Sequence, residues 1–141
     1  REDKFKQNHR HYVVKPWFEL GAVMLEQNRI IREMAKRSSC VIVGRCGDHI
    51  LEDVRPFRIF VYAELEHRIA RCMERRMAEE VYSLEEMKQK VISVDKNRRK
   101  YYEYYTGKKW GDRLNYDLCV NTSRQEIKEI ALALSSFISL G

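Results

Sequence analysis

Apolar positions fall into helical stripes alternating with short uninterrupted runs. Between about Gly21 and Arg37, Val23, Ile30, Ile31, Met34 and Ala35 form a stripe that predicts an amphipathic helix. Cys40-Val41-Ile42-Val43 follows, a β-branched run stopped by Gly44, as in a strand buried on both faces of a parallel sheet. Residues 47–53 predict a short helix, and Phe57-Arg58-Ile59-Phe60-Val61-Tyr62 a second strand. From Glu64 to Arg76, Leu65, Ile69, Cys72 and Met73 fall at i, i+4, i+7 and i+8, a helix period. Ser83 and Glu86 have the spacing of a capping box. They open a long helix with Leu84, Met87, Val91 and Val94 on its buried stripe, running to about Tyr105 and ended by Gly107. Residues 108–116 read as a loop and Leu118-Cys119-Val120 as a third strand. A second capping box, Ser123 with Glu126, predicts a final helix through Ile127, Ile130, Leu134 and Phe137. Residues 1–20 show no period and read as irregular.

Strands alternating with helices define an α/β class with a mainly parallel sheet. The length of 141 residues fits one domain, and 44% apolar residues suffice for a core without disulfides. With only 6 Gly and 2 Pro, collagen-like and low-complexity chains are excluded. The four cysteines, Cys40, Cys46, Cys72 and Cys119, are scattered with no C-x-x-C, which argues against a zinc site. Three sit in or beside apolar runs, so buried free thiols in a reducing compartment are expected. No apolar stretch is long enough to cross a bilayer, and Arg1-Glu2-Asp3 opens no signal-type segment, so a cytoplasmic protein is expected. Lys plus Arg number 27 against 21 acids, a net charge of +6 that suits polyanionic partners without choosing among them.

Candidate chemistry collects where a doubly wound sheet binds ligands, beyond the carboxyl ends of its strands. Gly44-Arg45-Cys46-Gly47-Asp48 follows the first predicted strand. Its glycines allow close backbone approach, Arg45 offers a planar fork for a phosphate, and Asp48 can accept from a sugar or base edge. The alternative is a glycine turn with a solvated arginine. On the helix 64–76, Arg68, Arg71 and Arg75 recur opposite the apolar stripe beside Arg76, either a polyphosphate or base contact or a solvated face. Asp95 and Arg98 lie one turn apart on the long helix, with Arg99 at i+4 from Asp95, so an ion pair can orient an arginine there. The alternative is a salt-bridged surface. Tyr101, Tyr102, Tyr104 and Tyr105 can stack on bases, but helical spacing turns at least one pair toward the core. Gln27 interrupts the first helical stripe, at the core edge or aimed at a ligand. No G-x-x-x-x-G-K-[ST], G-x-G-x-x-G or H-E-x-x-H is present, and the four histidines show no triad context.

Three blocks together resemble the cytidylate kinase-like family of P-loop nucleoside monophosphate kinases. They are Ser39-Cys40-Val41-Ile42-Val43-Gly44-Arg45-Cys46; Asp95-Lys96-Asn97-Arg98 with Tyr101-Tyr102 and Tyr105-Thr106-Gly107; and Trp110-Gly111-Asp112 with Asn115 to Ser123. The likeness spans roughly residues 20–138. It implies a P-loop NTPase-like three-layer α/β/α fold, incomplete at the N-terminus, in one kinase-like domain over 1–141 with the helix at about 83–107 as its lid. It implies ATP-dependent phosphoryl transfer to a nucleoside monophosphate, CMP-like by family, with ATP and Mg²⁺ required. By the same resemblance Gly44, Arg45, Asp48 and Gln27 would bind the acceptor, Arg45 taking its phosphate. Arg68, Arg71, Asn121 and Thr122 would lie on the donor side. Arg98, oriented by Asp95, would stabilise the transferring group, and no protein metal ligand is implied in the chain. Two positions depart from cytidylate kinases proper: Cys46 replaces an aspartate that helps read the acceptor sugar, and Val91 stands where another lid arginine is usual. The phosphate cradle of the family comes from an N-terminal strand, P-loop and helix, so an upstream segment is expected. The alternatives are a non-catalytic nucleotide-binding or regulatory domain and, ranked last, a basic RNA-binding module.

Overall fold

The computed structural model describes residues 17–77 and 79–139. The chain divides after Val54 into two compact units. The first holds helix α1 (Trp17–Arg37), the short helix α2 (Gly47–Ile50) and a 3-10 turn over Glu52–Val54. The second holds strand β1 (Ile59–Tyr62), helix α3 (Leu65–Arg75), helix α4 (Leu84–Thr106), a 3-10 turn over Arg113–Asn115, strand β2 (Leu118–Asn121) and helix α5 (Ile127–Ser139).

In the first unit, α1 starts at Trp17, earlier than its apolar stripe, and the remaining part of the irregular stretch expected at 1–20 lies outside the described residues. Arg29 bridges Glu26 at 2.6 Å and Glu33 at 2.7 Å along the exposed face. Such pairs each contribute only a few tenths of a kcal/mol. The inward face contributes more: Ile31 packs with Ile50 and Leu51 in a small core that Ala35 and Ile42 cover. Arg32 reaches Asp53 at 3.1 Å across the same unit.

The run Cys40–Val43 is not a strand, contrary to the expectation from its β-branched pattern. It takes no regular structure and pairs with no strand among the described residues, with Val41 92% and Val43 87% exposed. A strand exists only where a neighbour supplies its ladder hydrogen bonds, and propensity cannot replace them. Only Ile42 turns inward. The expected burial of the cysteines fails as well: Cys40, Cys72 and Cys119 are exposed and only Cys46 is buried, although all four are free thiols.

The second unit forms the sheet. β1 and β2 pair in parallel, Ile59 opposite Leu118 through to Tyr62 opposite Asn121. Asp117 locks the entry to both strands, accepting from the Arg58 backbone N–H at 2.7 Å and from its guanidinium at 3.2 Å. Phe60 packs edge-on against Trp110, centroids 5.5 Å apart, and against Tyr116 at 4.9 Å. Gly111 allows this approach, since its φ is +77° and a Cβ there would stand 3.2 Å from the Phe60 ring. Ile69 of α3 packs with Met87 and Val91 of α4, covered by Leu65, Met73 and Tyr82.

The caps of α4 are those the sequence predicts. The Ser83 side chain accepts from Glu86 N–H, the Glu86 carboxylate accepts from Ser83 N–H, and Gly107 closes the helix in the left-handed region. The second expected capping box is absent. Ser123 instead donates its hydroxyl to Asn121 Oδ1 at 2.6 Å and accepts from Glu64 N–H at 2.8 Å, and α5 begins only at Ile127. The stripe of α4 is narrower than expected, with Met87 and Val91 buried but Leu84 67% exposed. Of the four tyrosines, Tyr102 is buried and Tyr104 exposed, and Tyr101 and Tyr105 pack at 4.7 Å.

Candidate functional site

In the second unit, chemistry gathers just past the carboxyl ends of the two strands. Thr122, the first residue after β2, donates its N–H to Tyr62 O at 2.8 Å and its hydroxyl to the same oxygen at 3.1 Å. Arg71, on α3, donates from Nη1 to Thr122 Oγ1 at 2.9 Å and from Nη2 to the Thr122 carbonyl. Asn121 accepts on Oδ1 from the Ser123 N–H at 3.0 Å, closing the turn on itself.

Arg68 lies one turn before Arg71 on α3 and donates to Asp95 Oδ2 on α4. Arg98, one turn after Asp95, donates to Oδ1 of the same carboxylate at 3.2 Å. One acid on one helix thus holds two guanidinium groups, one from each helix, with Arg98 the more open at 64% side-chain exposure. Each guanidinium has five N–H donors, so one contact to Asp95 leaves donors for an anion. The sequence pattern pairs Asp95 with Arg98; the Arg68 contact spans 27 residues and no spacing rule reveals it. Arg99 lies with its Cζ 6.0 Å from the Trp110 ring centre, a cation–π distance that ties the helix to the aromatic group around Phe60.

In the first unit, Gly44, Arg45 and Cys46 have φ of +70°, +57° and +55°. Left-handed backbone suits glycine but strains the two residues that carry side chains, roughly 1–3 kcal/mol each. Gly47 is fixed by packing: a Cβ there would stand 2.8 Å from Ile42 Cγ2. Arg45 opens onto a groove of about 590 Å³ that it shares with Gln27, Glu26, Val23, Ile31 and Ile42. The structure therefore brings Gln27 and Arg45 together, an amide and a guanidinium against an aliphatic wall. Asp48 is half-buried in α2 and is not among the walls of that groove. Burial, with the Asp48 charge adding to it, pushes the Cys46 thiol up to about 11. It is neutral at physiological pH and cannot act as a carboxylate would.

Residues 9–124 match the model of the cytidylate kinase-like family, and the chain belongs to that family. No curated protein matches the chain. Among solved structures, the crystal structure of an uncharacterised protein from Eubacterium ventriosum ATCC 27560 superposes with a TM-score of 0.77 at 26% identity. That likeness covers 93% of this chain and 71% of the other. Family membership points to a nucleotide kinase-type function, and such kinases work with ATP and Mg²⁺. Among the described residues no helix is long and apolar enough to cross a membrane.

Proposed function

We propose that this protein is an ATP-dependent nucleoside monophosphate kinase with a CMP-like acceptor. The observation that carries the reading is the single Asp95 carboxylate holding both Arg68 and Arg98. Phosphoryl transfer involves little covalent chemistry by the protein, so its catalysts are positioned cations that meet developing charge. An arginine held by a carboxylate keeps its orientation while its remaining donors face the ligand, which fits that task.

In this reading the first unit recognises the acceptor. Arg45 takes its phosphate, the Gly44 turn gives close backbone approach, and Gln27 meets the nucleoside. Asp48 is the remaining carboxylate on this turn for the sugar, because Cys46 is neutral. The second unit carries the donor side, with Arg68 and Arg71 on α3 beside Asn121 and Thr122. Arg98, held by Asp95, steadies the transferring phosphoryl. The arginine-rich donor set suits phosphate oxygens and not a metal ion. Among the described residues no group of three or more His, Cys, Asp or Glu side chains could hold one. Mg²⁺ would arrive on the triphosphate and neutralise part of its charge. The parallel pair β1–β2 is read as part of a three-layer P-loop-type sheet in one domain over 1–141, with α4 as its lid, in a cytoplasmic protein. The glycine-rich phosphate cradle is the contribution of the family's P-loop segment.

Steady-state kinetics of the full-length protein with Mg·ATP and CMP test the division of roles. Arg98→Ala is expected to lower kcat by about 10²–10³-fold, the effect of losing one stabiliser of transition-state charge. Arg45→Ala is expected to raise the KM for CMP by tenfold or more with a smaller change in kcat. Equal activity of both variants and the parent contradicts the reading.

A further inference from the structure

We infer that Thr122 is a positioning residue for Arg71 and not itself a contact of the nucleotide; the inference rests on the kinase reading and assigns how its donor side is held. Thr122 is 3% exposed. Its hydroxyl donates to Tyr62 O at 3.1 Å and accepts from Arg71 Nη1 at 2.9 Å. Its N–H is given to Tyr62 O at 2.8 Å, and its carbonyl receives Arg71 Nη2. A hydroxyl has one proton to donate, and here that proton goes to a strand carbonyl. What the residue presents outward is the arginine it holds.

The consequence for Arg71 is geometric. Both terminal nitrogens of its guanidinium are held by Thr122, which fixes the plane of the group. A flat cation held in one plane suits a nucleobase, which offers a π face whatever its identity. The turn that grips it is braced in its own right. Ser123 accepts from Glu64 N–H at 2.8 Å and donates to Asn121 Oδ1 at 2.6 Å, tying the end of β2 to the start of α3. Arg71 is thus referenced to the sheet, and its orientation does not depend on the rotamer freedom of an exposed helix.

The test is a double-mutant cycle on the full-length protein, read as the Kd for Mg·ATP. Thr122→Val keeps the shape and both main-chain bonds but removes the hydroxyl. It is expected to weaken Mg·ATP binding roughly tenfold, the scale of one hydrogen bond to a charged group. Thr122→Ser, which keeps the hydroxyl, is expected to bind as the parent does. Arg71→Ala is expected to weaken binding at least as much as Thr122→Val, and in that background Thr122→Val should add less than about twofold. Should Thr122→Val fail to fold, Thr122→Ala goes through the same cycle. The inference is overturned if the threonine effect persists at full size without Arg71, since Thr122 then meets the ligand itself. It is also overturned if Thr122→Val or Arg71→Ala leaves Kd unchanged. Failure of the parent protein to bind Mg·ATP removes the kinase reading and the inference with it, whereas normal parental binding with a failed cycle removes the inference alone.

Discussion

Two apolar runs of similar composition, Cys40-Val41-Ile42-Val43 and Ile59-Phe60-Val61-Tyr62, have opposite fates. The second pairs in parallel with Leu118–Asn121 and carries Phe60 into an aromatic group. The first pairs with no strand among the described residues and leaves two valines almost fully in solvent. β-propensity does not separate them, since both are rich in residues that favour strands. What separates them is a partner: Asp117 and Arg58 clamp the entry to β1 and β2, and Thr122 closes the exit onto Tyr62. The unpaired run is followed by a turn that three consecutive left-handed residues define and that a buried thiol and Gly47 anchor. Among the described residues, the packing next to this turn is that of Ile31, Ile50 and Leu51 with Ala35 and Ile42, and no ladder stands behind it.

The largest expected effect sharpens that contrast. Phe60→Ala removes the ring that contacts Trp110 and Tyr116, and should destabilise the second unit by about 2–4 kcal/mol in urea unfolding. Next is Gly47→Ala. A Cβ 2.8 Å from the stiff Ile42 side chain forces a shift, expected to cost about 1–3 kcal/mol. The change should be read locally, as faster hydrogen exchange at the Ile50 and Leu51 amides, which donate to Cys46 O and Gly47 O.

Asp117→Asn probes the clamp through pH. The Arg58 guanidinium, then its backbone N–H, holds the Asp117 carboxyl below its ordinary value. A depressed carboxylate stabilises the fold above its unfolded pKa and loses that contribution as pH falls through the folded value. The parent should therefore lose stability more steeply than Asp117→Asn as pH falls through and below the ordinary aspartate value of 3.8. At neutral pH the variant should be less stable by about 1 kcal/mol, since the pair is partly solvent-screened. The smallest effect is expected for Val41→Ser, within about 0.5 kcal/mol, because the side chain touches little. A large loss on that change would show that Val41 is covered, and would break the comparison.

Much of this was legible in the sequence because it is local. Helical periods, the Ser83–Glu86 cap, the Gly107 stop and the pairing of Asp95 with Arg98 all lie within a few residues of each other. The failures share one cause. Whether Cys40–Val43 forms a strand, whether Ser123 caps α5 or bridges Asn121 and Glu64, and whether Asp95 also holds Arg68 each depend on a partner far along the chain. At the site, Arg45 and Gln27 share a groove, whereas the interrupted apolar stripe left Gln27 open between the core edge and a ligand. The hold of Thr122 on Arg71 spans 51 residues and left no local mark.

The central claim, phosphoryl transfer to a nucleoside monophosphate, is tested most directly by offering the full-length protein Mg·ATP with CMP, UMP, AMP or GMP and measuring formation of the diphosphate. Turnover with one acceptor well above the others, CMP by family, is the expected result. Absence of transfer to all four, from a folded protein that carries its phosphate cradle, would contradict it and favour a nucleotide-binding domain without catalysis.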